Sequence, residues 1–271
     1  MIAHFDYTGR TVFVVGGTSG INLGIARAFA AAGARIGVAS RRQEKVDAAV
    51  ALLSASQPAF GYAFDVRDAD AVAAALSDFA GKVGPIDVLV SGAAGNFPVH
   101  AADLSPNGFK SVVDIDLLGT FHAMKGAYPH MRRPGGSLIS ISAPQAQVAM
   151  PQQVHVCAAK AGVDMVTRCL AIEWGPEGLR VNSVIPGPID GTEGMARLAP
   201  TAEMKARSAA AVPLRRLGTP DDVAAACLFL GSEAAGYVNG VIMAADGGWI
   251  LNGAPMGLGP SESHRVGGSA K

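Results

Sequence analysis

Residues 11–24 read "TVFVVGGTSGINLG". The first five, "TVFVV", are apolar or β-branched and form a short buried strand. From residue 21, "INLGIARAFAAAG" places apolar residues at helical spacing and ends on Gly33. Between strand and helix lies a glycine-rich turn. Such a turn lets backbone N–H groups approach a pyrophosphate at the helix N-terminus. A glycine-rich loop alone is weak evidence, but its position directly behind the first strand makes it informative.

The same rhythm continues along the chain. "RIGVAS" (35–40), "FGYAFDV" (60–66) and "IDVLVSG" (86–92) read as strands, separated by helical patterns over 42–53 and 68–80. A long helix is expected after "SPNG", running to about Met131. "GSLISIS" (136–142), "RVNSVIPG" (180–187) and "VIMAADGG" (241–248) complete the strands. This alternation predicts an α/β fold, a Rossmann-type doubly wound parallel sheet in a single domain. Strands this apolar fit a sheet covered on both faces. The domain is expected over 1–251, with a Gly/Ser-rich tail at 252–271.

Composition narrows the function classes. Formal net charge is zero, which argues against nucleic acid or an anionic membrane as a partner. Hydrophobic residues make up 49% of the 271, enough for a large core. The histidines show no metal-ligand spacing, so no metal is expected. Cys157, Cys169 and Cys227 are far apart and read as reduced core residues. The N-terminal stretch lacks signal-peptide character, and "GGSAK" is no peroxisomal address. A cytoplasmic protein with no membrane-spanning segment is the expectation.

The loop "VVGGTSGINLG" (14–24) resembles the T-G-x-x-x-G-x-G cofactor loop of the short-chain dehydrogenase/reductase family, with Val15 for Thr and Asn22 for the last Gly. The resemblance implies that Gly16, Thr18, Ser19, Gly20 and Ile21 cradle a dinucleotide. The second strand ends in "ASRRQ", with no acid but with Arg41 and Arg42. Arginine suits a 2′-phosphate through forked hydrogen bonds, so the cofactor expected is NADP(H). By resemblance, Asp65 and Val66 contact adenine, and Ala93 of "SGAAG" (91–95) lines the cofactor from the fourth strand. "PGPIDGT" (186–192) resembles the nicotinamide-holding loop, which assigns Pro186, Gly187, Ile189 and Thr192 to the cofactor.

The family's usual catalytic set is Asn, Ser, Tyr and Lys. Aligned on "AAKAG", the lysine is Lys160, but the tyrosine position holds Val156, the serine position Ala143 and the asparagine position Asp116. Ser142 is one residue early, on the other side of a strand. His155 sits one helix step away from the site and reads as packing or surface.

"AAGNF" (93–97), "DIDLLGTF" (114–121), "QVHV" (153–156), "AIEWGPEGLRVNS" (171–183) and "PGPIDGTEG" (186–194) together resemble the 2,4-dienoyl-CoA reductases, in particular their peroxisomal type, over about residues 5–250. Chemistry accounts for the absent phenol. A ketone reductase must protonate an alkoxide. A dienoyl thioester takes hydride at a distant carbon, charge moves to the thioester oxygen, and the proton goes to carbon.

The resemblance implies catalytic roles for Lys160, on the ribose and the developing charge, and for Asp116, which holds a water together with Asp246. It implies an acyl-CoA substrate, with Asn96 at the thioester, Phe97 on the acyl chain and Arg197 on a CoA phosphate. It also implies that residues 188–216 cover the substrate and that the assembly is a homotetramer. Two further readings fit the same residues: a catalytically silent NADP(H)-binding sensor or scaffold, and a short-chain reductase for another carbonyl or alkene.

Overall fold

A computed structural model describes residues 5–252; the tail expected beyond them lies outside the described residues. Seven parallel strands form one sheet: β1 (Thr11–Val15), β2 (Arg35–Ser40), β3 (Ala59–Ala63), β4 (Val88–Ser91), β5 (Ser137–Ile141), β6 (Arg180–Pro186) and β7 (Ile242–Ala245). Their order is β3-β2-β1-β4-β5-β6-β7. Strands β1, β4, β5 and β6 are buried along their whole length, as a sheet covered on both faces requires.

One face packs on α1 (Gly20–Ala31) and α9 (Pro220–Gly231) through Ile25, Phe29, Val223 and Leu230. The other packs on α3 (Ala69–Val83), α5 (Gly119–Ala127) and α6 (Val154–Trp174) through Phe79, Met124, Leu138 and Leu170. The chain reverses its direction of winding between β1 and β4, and ligands in such sheets bind at the carboxyl ends beside that switch point.

The long helix expected after "SPNG" is a composite. It comprises α4 (Pro106–Val112), a π-helical turn at Val113–Leu118, α5, and a 3₁₀ turn at Tyr128–His130. Ser105 caps its start by accepting the Gly108 N–H. The last strand stops at Ala245 rather than 248, because Gly247 and Gly248 take φ of 66° and 86° and turn the chain. The cysteines do not share one setting: Cys227 is buried, Cys157 partly so and Cys169 exposed, so only Cys227 is a core residue. Of the remaining helices, α2 (Gln43–Leu53) packs on the sheet through Ala49 and Leu53, while α7 (Glu193–Leu198) and α8 (Ala202–Ala211) follow the carboxyl end of β6. Among the described residues no helix is long and apolar enough to cross a membrane, and no metal-binding cluster occurs.

Candidate active site

The turn after β1 forms one wall of a cavity of about 730 Å³, lined there by Gly16, Thr18 and Ser19. Gly16 has φ 81°, and a Cβ on it would meet the Ala93 backbone nitrogen at 3.0 Å. Only glycine lets the two chain segments approach this closely. Gly20 opens α1 at φ 54°, leaving the first helical N–H groups free of side-chain capping by Ser19. Arg41, Arg42 and Lys45 stand on the β2 side of this cavity, and Asp65, Val66 and Ala93 close it. Asp65 is engaged by Arg67 at 2.6 Å, and this hydrogen-bonded pairing holds its carboxyl below the usual carboxylate range. An anion-receptive helix start with cations at the far wall fits a phosphate-bearing dinucleotide.

Asn22, the departure from the family loop, has a visible task. Its Nδ2 donates to the Gly92 carbonyl at 2.7 Å and ties the start of α1 to the end of β4. A glycine there would lose this hydrogen bond.

A second cavity, of about 350 Å³, continues from the first, with Ser19, Asn22, Gly92 and Ala94 in both walls. Asp116 and Lys160 face it and are buried, at 1% and 4% exposure. Lys160 Nζ lies 3.4 Å from Asp116 Oδ2 and donates to the Ile141 carbonyl at 3.0 Å. Asp116 Oδ1 accepts the Gly95 N–H at 2.7 Å, while Oδ2 has no hydrogen-bond partner beyond the ion pair.

Local sequence explains how the pair meets. The π-helical turn re-aims Asp116 out of the α-helical repeat, and such turns recur at functional sites. Gly162 lets α6 close on that turn, since a Cβ there would sit 2.9 Å from Leu117. The tyrosine position, Val156, is buried and lines the same cavity with Ala143 and Ser142. Ser142, expected on the other side of a strand, lines this cavity instead, so a serine hydroxyl but no phenol stands in its wall.

Among the other expected residues, Gly20, Ile21, Asn96, Pro186, Gly187, Ile189 and Thr192 line the second cavity. The Thr192 hydroxyl caps α7, accepting the Met195 N–H at 3.1 Å and donating to the Ile189 carbonyl at 2.9 Å.

Several expectations change or narrow. Phe97 is not in the cavity wall; its ring packs on His155, 4.6 Å between centroids, at the rim. His155 is fully buried, with Nε2 bonded to the Phe97 carbonyl at 3.1 Å, so it is a packing residue and not a surface one. Arg197 lines the cofactor-side cavity rather than the second one, because one helical turn sets it beside Glu193, 3.4 Å away, which Lys45 holds at 3.2 Å.

Asp246 is absent from the wall of the cavity that holds Asp116. It lines a neighbouring cavity, and its two oxygens accept the Gly248 and Ile250 N–H groups, each at 2.8 Å. The D-G-G turn needs that carboxylate to close.

Sequence reading also passed over Asp164, one helical turn beyond Lys160. It is buried, and burial pushes its carboxyl upward although Ser183 donates to it at 3.2 Å. An acid at i+4 from Lys160 was the available signal.

Fold and site together define an oxidoreductase that works with a nicotinamide dinucleotide. Residues 15–250 match the family model described as enoyl-(acyl carrier protein) reductase. The chain is 41% identical over 247 residues to the peroxisomal 2,4-dienoyl-CoA reductase [(3E)-enoyl-CoA-producing] of Danio rerio, covering 90% of this chain and 82% of the relative. Over 251 residues it is 36% identical to the probable 2,4-dienoyl-CoA reductase [(2E)-enoyl-CoA-producing] of Bacillus subtilis, covering 91% and 99%. Among solved structures, a short-chain dehydrogenase from Bacillus anthracis superposes with TM-score 0.78 at 37% identity, covering 89% of this chain and 96% of that one. A short-chain type dehydrogenase/reductase from Mycobacterium ulcerans gives 0.86 at 31%, covering 91% of each. The chain belongs to the short-chain dehydrogenase/reductase family.

Proposed function

We propose that the protein catalyses the NADPH-dependent reduction of a 2,4-dienoyl-CoA, or a closely related unsaturated acyl thioester. The observation that carries this reading is the buried Asp116–Lys160 pair, 3.4 Å apart, in a cavity whose tyrosine position is Val156. The names of the relatives point to the same substrate class.

The glycine-rich turn, Arg41 and Arg42 hold the cofactor, with Lys160 reaching the ribose and the 186–192 segment the carboxamide. When bound, the cofactor supplies a hydride. Lys160 keeps a positive charge where electron density gathers on the thioester oxygen. Asp116 has one oxygen fixed by the Gly95 N–H, leaving Oδ2 to hold and orient a water that delivers the proton to carbon. Asp246 supports this site from the adjoining turn, and any share it has in holding the water uses lone pairs left over from its two backbone bonds. Asn96, in the cavity wall, is assigned to the thioester end. The balance is dienoyl-CoA plus NADPH plus one proton giving enoyl-CoA plus NADP⁺.

Isotopes test this directly. Reaction in D₂O should place one deuterium on carbon, and deuteride from 4-labelled NADPH a second one on a different carbon. Label from the cofactor appearing at a carbinol carbon would contradict it.

Cofactor choice rests on the two arginines. Replacing both Arg41 and Arg42 by Gln should raise the KM for NADPH at least about tenfold, since each charge-assisted bond contributes roughly 1.5–3 kcal/mol. The KM for NADH should move little. Steady-state kinetics with both cofactors checks this.

A second reading, cofactor binding without turnover, draws on Ala143 and Val156. It expects NADPH affinity with no hydride transfer to any thioester. For assembly we propose a homotetramer. Phe109, Leu118, Phe121, Met165 and Ile172 are exposed apolar residues on the helical segments around Asp116 and Lys160, a face suited to a second copy.

A further inference from the structure

Buried polar atoms without a hydrogen-bond partner are rare in native proteins and call for an explanation where they occur. Among the described residues, Asn22 Oδ1, Asp116 Oδ2, Ser142 Oγ and Trp249 Nε1 are such atoms in residues that line the second cavity, and Ser142 has the Asp164 carboxyl beside it as an acceptor. Asn22 and Asp116 are accounted for by the cofactor loop and the proton step. Trp249 is not.

Its side chain is 2% exposed. An indole N–H only donates, so whatever completes it is an acceptor. The cavity around it is largely apolar, with Val156, Pro188, Ile189 and Met195 in its wall, so a donor there acts in a low dielectric.

The position of the ring is fixed with care. Trp249 begins a 3₁₀ turn, Trp249–Asn252. The residues on either side of it, Gly248 and Ile250, donate their N–H groups to the two oxygens of Asp246, and the Trp249 N–H reaches the Asp246 carbonyl at 3.2 Å. The Asp246 carboxylate therefore holds the turn that presents the indole.

We infer that Trp249 Nε1 donates a hydrogen bond to the carbonyl oxygen of the acyl thioester, and that Asp246 is the positioning residue for it. The inference rests on the acyl-thioester reading above. That oxygen is the acceptor nearest the reacting carbons of such a substrate, and it is where negative charge grows. A preorganised donor at that place stabilises the charge as it develops.

The test compares hexanoyl-CoA with S-hexyl-CoA, a thioether that lacks only the carbonyl oxygen, by equilibrium binding to the full chain with NADP⁺ present. The wild-type protein is expected to favour hexanoyl-CoA about tenfold, the size of one buried hydrogen bond to a polar acceptor. Trp249→Phe keeps a ring and removes the donor, and should lose most of that preference, leaving only what Lys160 and Asn96 contribute at the same oxygen. Its Tm should be unchanged or higher, since it loses only an unpaired polar group. A preference as large in Trp249→Phe as in the wild type, or absent from the wild type, overturns the inference.

Should Trp249→Phe fail to fold, fluorescence decides. The chain has two tryptophans, and Trp174 stacks on Tyr128 at 4.6 Å, at the C-terminal end of α6. In Trp174→Phe the emission of Trp249 should shift to the red with hexanoyl-CoA and not with S-hexyl-CoA. Equal responses, or none, overturn it. Kinetics separate the two readings. A wild-type protein that shows the preference yet leaves 2,4-hexadienoyl-CoA unreduced refutes the dienoyl reading alone. Turnover with the preference intact in Trp249→Phe refutes the Trp249 assignment alone.

Discussion

Replacing Lys160 by Met is expected to abolish turnover, weaken cofactor binding and lower Tm by on the order of 10 °C. The stability part follows from burial. Asp116 is 1% exposed, and Lys160 is the cation facing its second oxygen. Removing one partner of a buried pair leaves an uncompensated charge and costs roughly 3–5 kcal/mol. In a domain of this size each kcal/mol moves Tm by about 2–4 °C. The Ile141 carbonyl loses its donor as well, so the end of β5 is no longer pinned to α6. Methionine keeps the length of the stem, which separates loss of charge from loss of packing. Adding Asp116→Asn to Lys160→Met should restore part of the lost Tm, because the orphaned charge is gone. Thermal unfolding of the single and double variants measures this. A single variant with wild-type Tm would mean that the pair does not form.

Asp116→Asn alone is expected to lower kcat/KM for a dienoyl-CoA by about 10²- to 10³-fold, the range typical of a lost general acid–base group. Asparagine can still accept the Gly95 N–H through its carbonyl oxygen, so the loop carrying Asn96 stays tied to the π-helical turn. What it loses is the negative charge and the acceptor oxygen that orients water. Cofactor affinity should therefore remain within several-fold of wild type, while Tm should fall, because buried Lys160 loses its counter-charge and keeps only the Ile141 carbonyl. Titration of NADPH binding alongside kinetics makes the distinction. Full activity in Asp116→Asn would remove the proton assignment, and loss of cofactor binding would reassign Asp116 to the cradle.

Much of this was legible before the structure. Apolar runs bounded by glycine-rich turns marked the seven strands, because a sheet covered on both faces favours apolar residues at most positions. Lys160 and Asp116 were found by their spacing within recognisable motifs. The features missed depend on contacts distant in sequence. Asn22 read as a weakened loop, yet it bonds Gly92, 70 residues on. Phe97 read as an acyl-chain contact, but it is drawn to His155, 58 residues away. Asp246 read as a second acid, although a carboxylate before two glycines is also what a tight turn needs. The π-helical turn carries no mark in the residue pattern, since one extra residue in a helix leaves the apolar spacing almost unaltered.

The decisive measurement offers the purified full chain NADPH with 2,4-hexadienoyl-CoA and, separately, with a panel of simple ketones. The account predicts matched loss of dienoyl and NADPH absorbance with the thioester and no oxidation of NADPH with the ketones. Reduction of ketones while the dienoyl thioester stays intact would contradict it.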